Sequence, residues 1–124
     1  MITEDYCSYE VAKLLKEKGF DGLCYCHEFT DYEGNFTTYH TEYPENWNQS
    51  EPCVSIPTLG MAMKWLREVH KVNIEIHYNR FGENYKYLII YKPVVLDDIR
   101  SLGVYFHYEE AIEAALKYSL ENLI

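Results

Sequence analysis

The chain lacks any long hydrophobic run: no stretch approaches the roughly 18 consecutive apolar residues needed to span a bilayer as a helix. Its first residues, Met1-Ile2-Thr3-Glu4-Asp5, carry neither the basic segment nor the apolar run of a secretory signal. A cytoplasmic location is therefore expected. Positive charge is also scarce, with 11 Lys plus Arg against 20 Asp plus Glu and a net charge of −9. Such a balance repels a nucleic-acid backbone and an anionic membrane, so neither is an expected partner.

Chemical signatures are missing as well. There is no glycine-rich phosphate loop, no nucleophile triad and no convincing metal-ligand spacing, so the sequence nominates no catalytic residue and no cofactor. The cysteines, Cys7, Cys24, Cys26 and Cys53, read as free thiols of a reducing compartment, and Cys24 and Cys26 are too close on one strand to pair comfortably. The run Cys24-Tyr25-Cys26-His27 offers zinc-type ligands, but strand alternation sends His27 to the opposite face from the two thiols. The sequons Asn35-Phe36-Thr37 and Asn48-Gln49-Ser50 matter only in a secreted eukaryotic protein.

What is present is a core. At 124 residues, 48% hydrophobic and 16% aromatic, with 13 tyrosines, the chain is expected to fold as a single domain over residues 1–124. Ser8 as N-cap, apolar Val11, Leu14 and Leu15, and Gly19 as a left-handed stop define a first helix. Leu23–Phe29 and Asn35–Tyr43 read as a hairpin about the turn Asp31-Tyr32-Glu33-Gly34. Residues Pro44–Cys53, around Trp47, carry loop chemistry.

A central amphipathic helix is expected over Pro57–Lys71, with Pro57 in its first turn, Gly60 at a close approach, and Leu59, Ala62, Met63, Leu66 and Val69 buried. Alternation then predicts strands at Val72–Tyr78 and Tyr85–Lys92. Val94-Val95-Leu96 or Val104-Tyr105-Phe106 could add an edge strand around an Asp97-Asp98 turn, and Tyr108–Leu123 forms the last helix. The order αββ-αββ-α gives an α+β fold class: two similar half-units placing four, or five, mostly antiparallel strands in one sheet, with helices on one face.

Two surfaces are candidates for recognition. Lys64, Arg67 and Lys71 form a basic stripe on the central helix beside Trp65 and His70, suited to an anionic ligand or an acidic partner patch, although a solvated face would look the same. Tyr85, Tyr87 and Tyr91 line one face of a strand and could hold a ring-shaped ligand or simply furnish the sheet core. Glu75 and His77 share a strand face and are the one plausible acid–base pair. The helix–strand–strand–helix order of the second half is similar to a double-stranded-RNA-binding domain, but Glu109, Glu110 and Glu113 stand where such a domain needs cations.

The runs Ser8-Tyr9-Glu10-Val11-Ala12-Lys13-Leu14-Leu15-Lys16-Glu17-Lys18-Gly19-Phe20, Lys64-Trp65-Leu66-Arg67-Glu68-Val69-His70 and Tyr108-Glu109-Glu110-Ala111 resemble a family of small uncharacterised proteins from gut anaerobic bacteria and their phages. The resemblance implies an accessory protein of a phage or mobile element and carries no residue roles. The leading expectation is action by binding, to a host protein or to a second copy as a homodimer. The alternatives are a small-ligand binder holding an aromatic anion such as a nucleotide, and a small enzyme or metal protein built on Glu75 and His77 or on Cys24 and Cys26.

Overall fold

The computed structural model describes residues 2–97 and 104–124. The fold is α+β, and the chain divides into two compact units, Met1–Ala62 and Met63–Ile124. Each unit holds its own three-stranded antiparallel sheet, which replaces the single four-stranded sheet expected from the sequence. The separation into two sheets was not legible, because nothing local in a strand specifies which strand it will pair with.

In the first unit, helix α1 (Tyr9–Glu17) starts where the Ser8 hydroxyl accepts the Val11 N–H at 3.2 Å. It ends in a left-handed Gly19 (φ 88°), with the Phe20 N–H donating to the Leu15 carbonyl at 2.9 Å and the Gly19 N–H to Lys16 at 3.1 Å. That pair of bonds satisfies carbonyls the last turn would otherwise leave open. Val11, Ala12 and Leu15 form the buried face.

Strands β1 (Cys24–Thr30) and β2 (Phe36–Glu45) make the expected hairpin. Asp31 organises its turn, accepting the Glu33 and Asn35 N–H groups on Oδ1, each at 2.9 Å. Pairing runs regularly from Thr30 opposite Phe36 to Cys26 opposite His40, then breaks, and Cys24 faces Glu45. A third strand unforeseen in the sequence, β3 (Val54–Ser55), pairs with β1 on its other side, giving the order β2-β1-β3. Two residues are too few to leave a periodic signal. Ala12, Cys26, Val54 and Ile56 cluster in this unit's core.

The Asp5–Cys7 segment bonds back to the chain just ahead of helix α2 (Leu59–His70): the Cys7 N–H donates to Pro57 O and the Leu59 N–H to Asp5 O, both at 2.9 Å. Pro57 therefore belongs to this pairing and not to the helix; Thr58 is the cap, its hydroxyl accepting the Met61 N–H at 3.2 Å. Gly60 faces open space, since a Cβ there would meet nothing within 4 Å, and Val69 is 57% exposed instead of buried. Lys71 (φ 61°) lies past the helix, with its ammonium on the Glu68 carbonyl at 3.1 Å.

The second unit holds β4 (Val72–Asn79), β5 (Asn84–Tyr91) and β6 (Val94–Asp97) in that order, with α3 (Tyr108–Asn122) packed on β4 and β5. Both suggested places for an extra strand are used: β6 pairs with the C-terminal half of β5, while Tyr105 bridges Tyr85 through backbone bonds of 2.7 and 2.8 Å. Asp98 of the expected turn lies outside the described residues. Among the described residues, no helix is long and apolar enough to cross a membrane.

Candidate functional site

The Cys24–His27 segment is a built structure. Its bulged strand puts Cys24 and Cys26 in the core at 1% and 2% exposure and turns His27 to the other face, where it is also buried. The cover is supplied by Trp47, in a 3-10 turn at Trp47–Gln49. The indole stacks on the His27 imidazole with centroids 3.9 Å apart and planes 18° apart, and Tyr39 stacks on His27 at 5.2 Å. The Trp47 Nε1–H also donates to the Cys24 carbonyl at 2.8 Å. Asn48, the next residue, accepts the Ser55 N–H at 2.8 Å and donates to Phe20 O at 3.0 Å, so the loop is pinned to the sheet.

Burial sets the electrostatics of this segment. Burial pushes the Cys24 thiol up to about 11, and burial, followed by the nearby Glu28 carboxylate, raises Cys26. Reactive cysteines need the opposite shift. Burial also lowers the His27 pKa, outweighing the upward pull of Glu28 and Glu45, and leaves Nδ1 without a hydrogen-bond partner. No group of three metal-ligating side chains forms among the described residues.

The same sheet offers an open surface. A groove of about 230 Å³ is lined by Tyr6, Tyr9, Cys26, Glu28, Thr38 and His40, together with Cys7 and Ile56. Tyr9 meets Phe36 edge-on at 5.4 Å and Tyr6 meets His40 at 5.6 Å, while the Thr38 hydroxyl donates to Glu28 at 2.7 Å. The rim of this groove is β2, whose side chains are almost all exposed, including Phe36 (58%), Tyr39 (46%) and Tyr43 (76%).

Strand β2 is the outer strand of its sheet, hydrogen-bonded to β1 alone among the described strands. The direction of its free groups follows from its neighbours. The Cys26 carbonyl accepts the Ile56 N–H at 2.8 Å, so the backbone of Cys26 faces β3. By the alternation of an antiparallel ladder, His27 and Phe29 face β2, their partners Tyr39 and Thr37 face back, and the N–H and C=O groups of Phe36, Thr38 and His40 point outward.

The surfaces nominated from sequence fare differently. Lys64 and Arg67 are exposed on α2 with Trp65 half-buried between them, whereas Lys71 has left the helix. Tyr85, Tyr87 and Tyr91 share a face as expected, but that face packs under α3: Tyr87 is 4% exposed, and Tyr85 lies edge-on to Tyr108 at 5.8 Å. The tyrosine row is sheet core at its centre. Glu75 and His77 meet, Oε2 to Nε2, at 3.1 Å, half exposed on the opposite face of β4. His77 lines a wide groove of about 420 Å³ with Tyr78, Asn79, Asn84, Lys86 and Val104, and none of the nominated lysines, arginine or tyrosines reaches it.

No family model, curated protein or solved structure matches the chain. Its most distinctive element is the exposed outer strand β2, which the sequence presents as the return strand of a hairpin with Tyr39 and Tyr43 along one face, without marking its backbone edge as open. The available signal was the uncharged run Asn35–Thr41 in a chain of net charge −9.

Proposed function

We propose that the protein works by binding, engaging another protein chain through the open edge of β2, as an accessory protein of a phage or mobile element acting in the cytoplasm. The observation that carries the reading is the outer edge of a ten-residue strand that pairs with β1 alone among the described strands and has exposed aromatics along it. A free row of N–H and C=O groups recruits an added strand, and natural edges are blunted with lysine, proline or bulges where that must not happen. Between Phe36 and His40 this edge has none of those protections, since Pro44 and the irregular pairing fall beyond the regular segment.

Two further features support binding over catalysis. The best-placed thiols are held protonated by burial, and Glu75, half exposed beside His77, is not among the residues that line the groove His77 shares with Tyr78 and Lys86. All four cysteines are buried free thiols, compatible with a reducing compartment.

Native mass spectrometry of the tagged protein isolated gently from a bacterial extract tests this. The expected result is a complex containing a further protein chain, lost in Thr38→Pro, which removes one outward N–H without touching the β1 ladder. Free monomer for both proteins, or the same complex for both, would refute the reading.

A further inference from the structure

We infer that the chain accepted at the β2 edge is a second copy of this protein, added antiparallel with the two-fold axis through Thr38. The inference rests on the binding role given to that edge and names its occupant. The outward-facing residues of the regular segment are Phe36, Thr38 and His40, which are evenly spaced about Thr38. An axis at Thr38 pairs Thr38 with the partner's Thr38 and Phe36 with the partner's His40, using every outward group of the segment in about six backbone hydrogen bonds. The sheets would join in the order β3-β1-β2-β2-β1-β3, leaving only the short β3 strands as edges.

Charge selects this partner and this register. Asn35–Thr41 contains no Asp, Glu, Lys or Arg, so two copies can lie side by side there without like charges meeting, despite a net charge of −9 on each. Moving the axis toward His40 brings Glu42 into the pairing and runs it into the irregular stretch before Glu45. Moving it toward Phe36 runs it into the Asp31–Asn35 turn, which is closed by its own bonds and carries Glu33. Only the Thr38 axis keeps both strands uncharged and regular over the whole pairing. The rings already on this face then complete the contact: each Phe36, held edge-on by Tyr9, lies opposite the partner's His40, itself against Tyr6.

The register has a covalent readout. Residues exchanging backbone bonds across an antiparallel pair have Cα atoms about 5.5 Å apart, within the roughly 4.4–6.8 Å span of a disulfide. Thr38→Cys, at an exposed position, is therefore expected to give a disulfide-linked dimer under mild oxidation at least tenfold faster than Thr37→Cys, whose copies sit diagonally at about 7–8 Å or more. Wild-type protein, whose own cysteines are buried, sets the background. Light scattering on pure protein across a concentration series is expected to show a monomer–dimer equilibrium in the wild type and monomer in Thr38→Pro.

A pure protein that stays monomeric at every concentration, with no Thr38→Cys cross-link, overturns the inference. A complex with a different chain in extract, still lost in Thr38→Pro, would then leave the edge-binding role intact; no such complex would remove both. A dimer in which Thr37→Cys links as fast as Thr38→Cys also overturns it, because the copies would meet elsewhere or in another register.

Discussion

The indole of Trp47 lies flat on the imidazole of His27, 3.9 Å away, and donates its N–H to the carbonyl of Cys24 on the same strand. A residue from an irregular loop thereby roofs one face of a sheet whose opposite face carries the thiol core. Trp47→Phe keeps the stack but leaves the Cys24 carbonyl short of a donor, and should cost about 1–3 kcal/mol. Trp47→Ala also removes the roof and should cost about 3 kcal/mol or more. Urea unfolding followed by circular dichroism ranks the two, and equal losses would show that the hydrogen bond contributes little.

The roof makes stability depend on pH. Burial lowers the folded-state pKa of His27 below its ordinary 6.5, so the unfolded chain binds a proton more readily than the native one. The sign follows: the His27 contribution is complete above pH 6.5 and is lost as pH falls from there through the lower folded value. The urea midpoint should drop between pH 7 and pH 5, and His27→Phe, which keeps a ring in the stack, should flatten that drop. A midpoint falling equally in both proteins would assign the acid sensitivity to other groups.

The thiols give the opposite limb. With Cys24 pushed up to about 11, the native protein should resist alkylation by iodoacetamide at pH 8, and label readily once unfolded in urea. Because this folded pKa lies above the ordinary 9.0, the associated stability is present below pH 9 and fades as pH climbs through about 11. Mass spectrometry of the labelled native protein checks the first statement, and rapid native labelling at Cys24 would contradict the burial described.

Much of this arrangement was legible in the sequence wherever the cause is local. Ser8 and Gly19 bracket α1 through bonds spanning three to five residues, and Asp31 shapes its turn through neighbouring amides. Alternation correctly placed Cys24 and Cys26 on one face, His27 on the other, and the three β5 tyrosines together. What was not legible is long-range. Trp47 reaches across 23 residues to Cys24, and Lys16 across 37 to Cys53, contacts no window of sequence contains. Which strand becomes an edge is likewise decided by the two residues of β3, because they take the side of β1 that β2 does not. The Lys64 and Arg67 stripe was read correctly as exposed, but Lys71 left it when the backbone turned left-handed at the helix end.

The two faces of the β2 backbone should respond differently to proline. Tyr39→Pro removes an N–H directed at β1 and should cost about 3 kcal/mol. Thr38→Pro removes one directed outward, together with the exposed bond from its hydroxyl to Glu28, and should cost clearly less, about 1 kcal/mol, in the monomer. Equal losses in thermal or urea unfolding would mean that the outward assignment of Thr38 is wrong.

The central claim, that the outer edge of β2 is where this protein binds, is tested most directly by residue-resolved amide hydrogen exchange. In dilute pure protein, the Thr37 and Tyr39 amides should exchange slowly while those of Phe36, Thr38 and His40 exchange freely. On raising the protein concentration, or in the complex recovered from extract, the latter three should slow by at least tenfold together. If those three amides exchange just as fast in the assembled state as in the dilute monomer, the edge is not the binding site and the account fails.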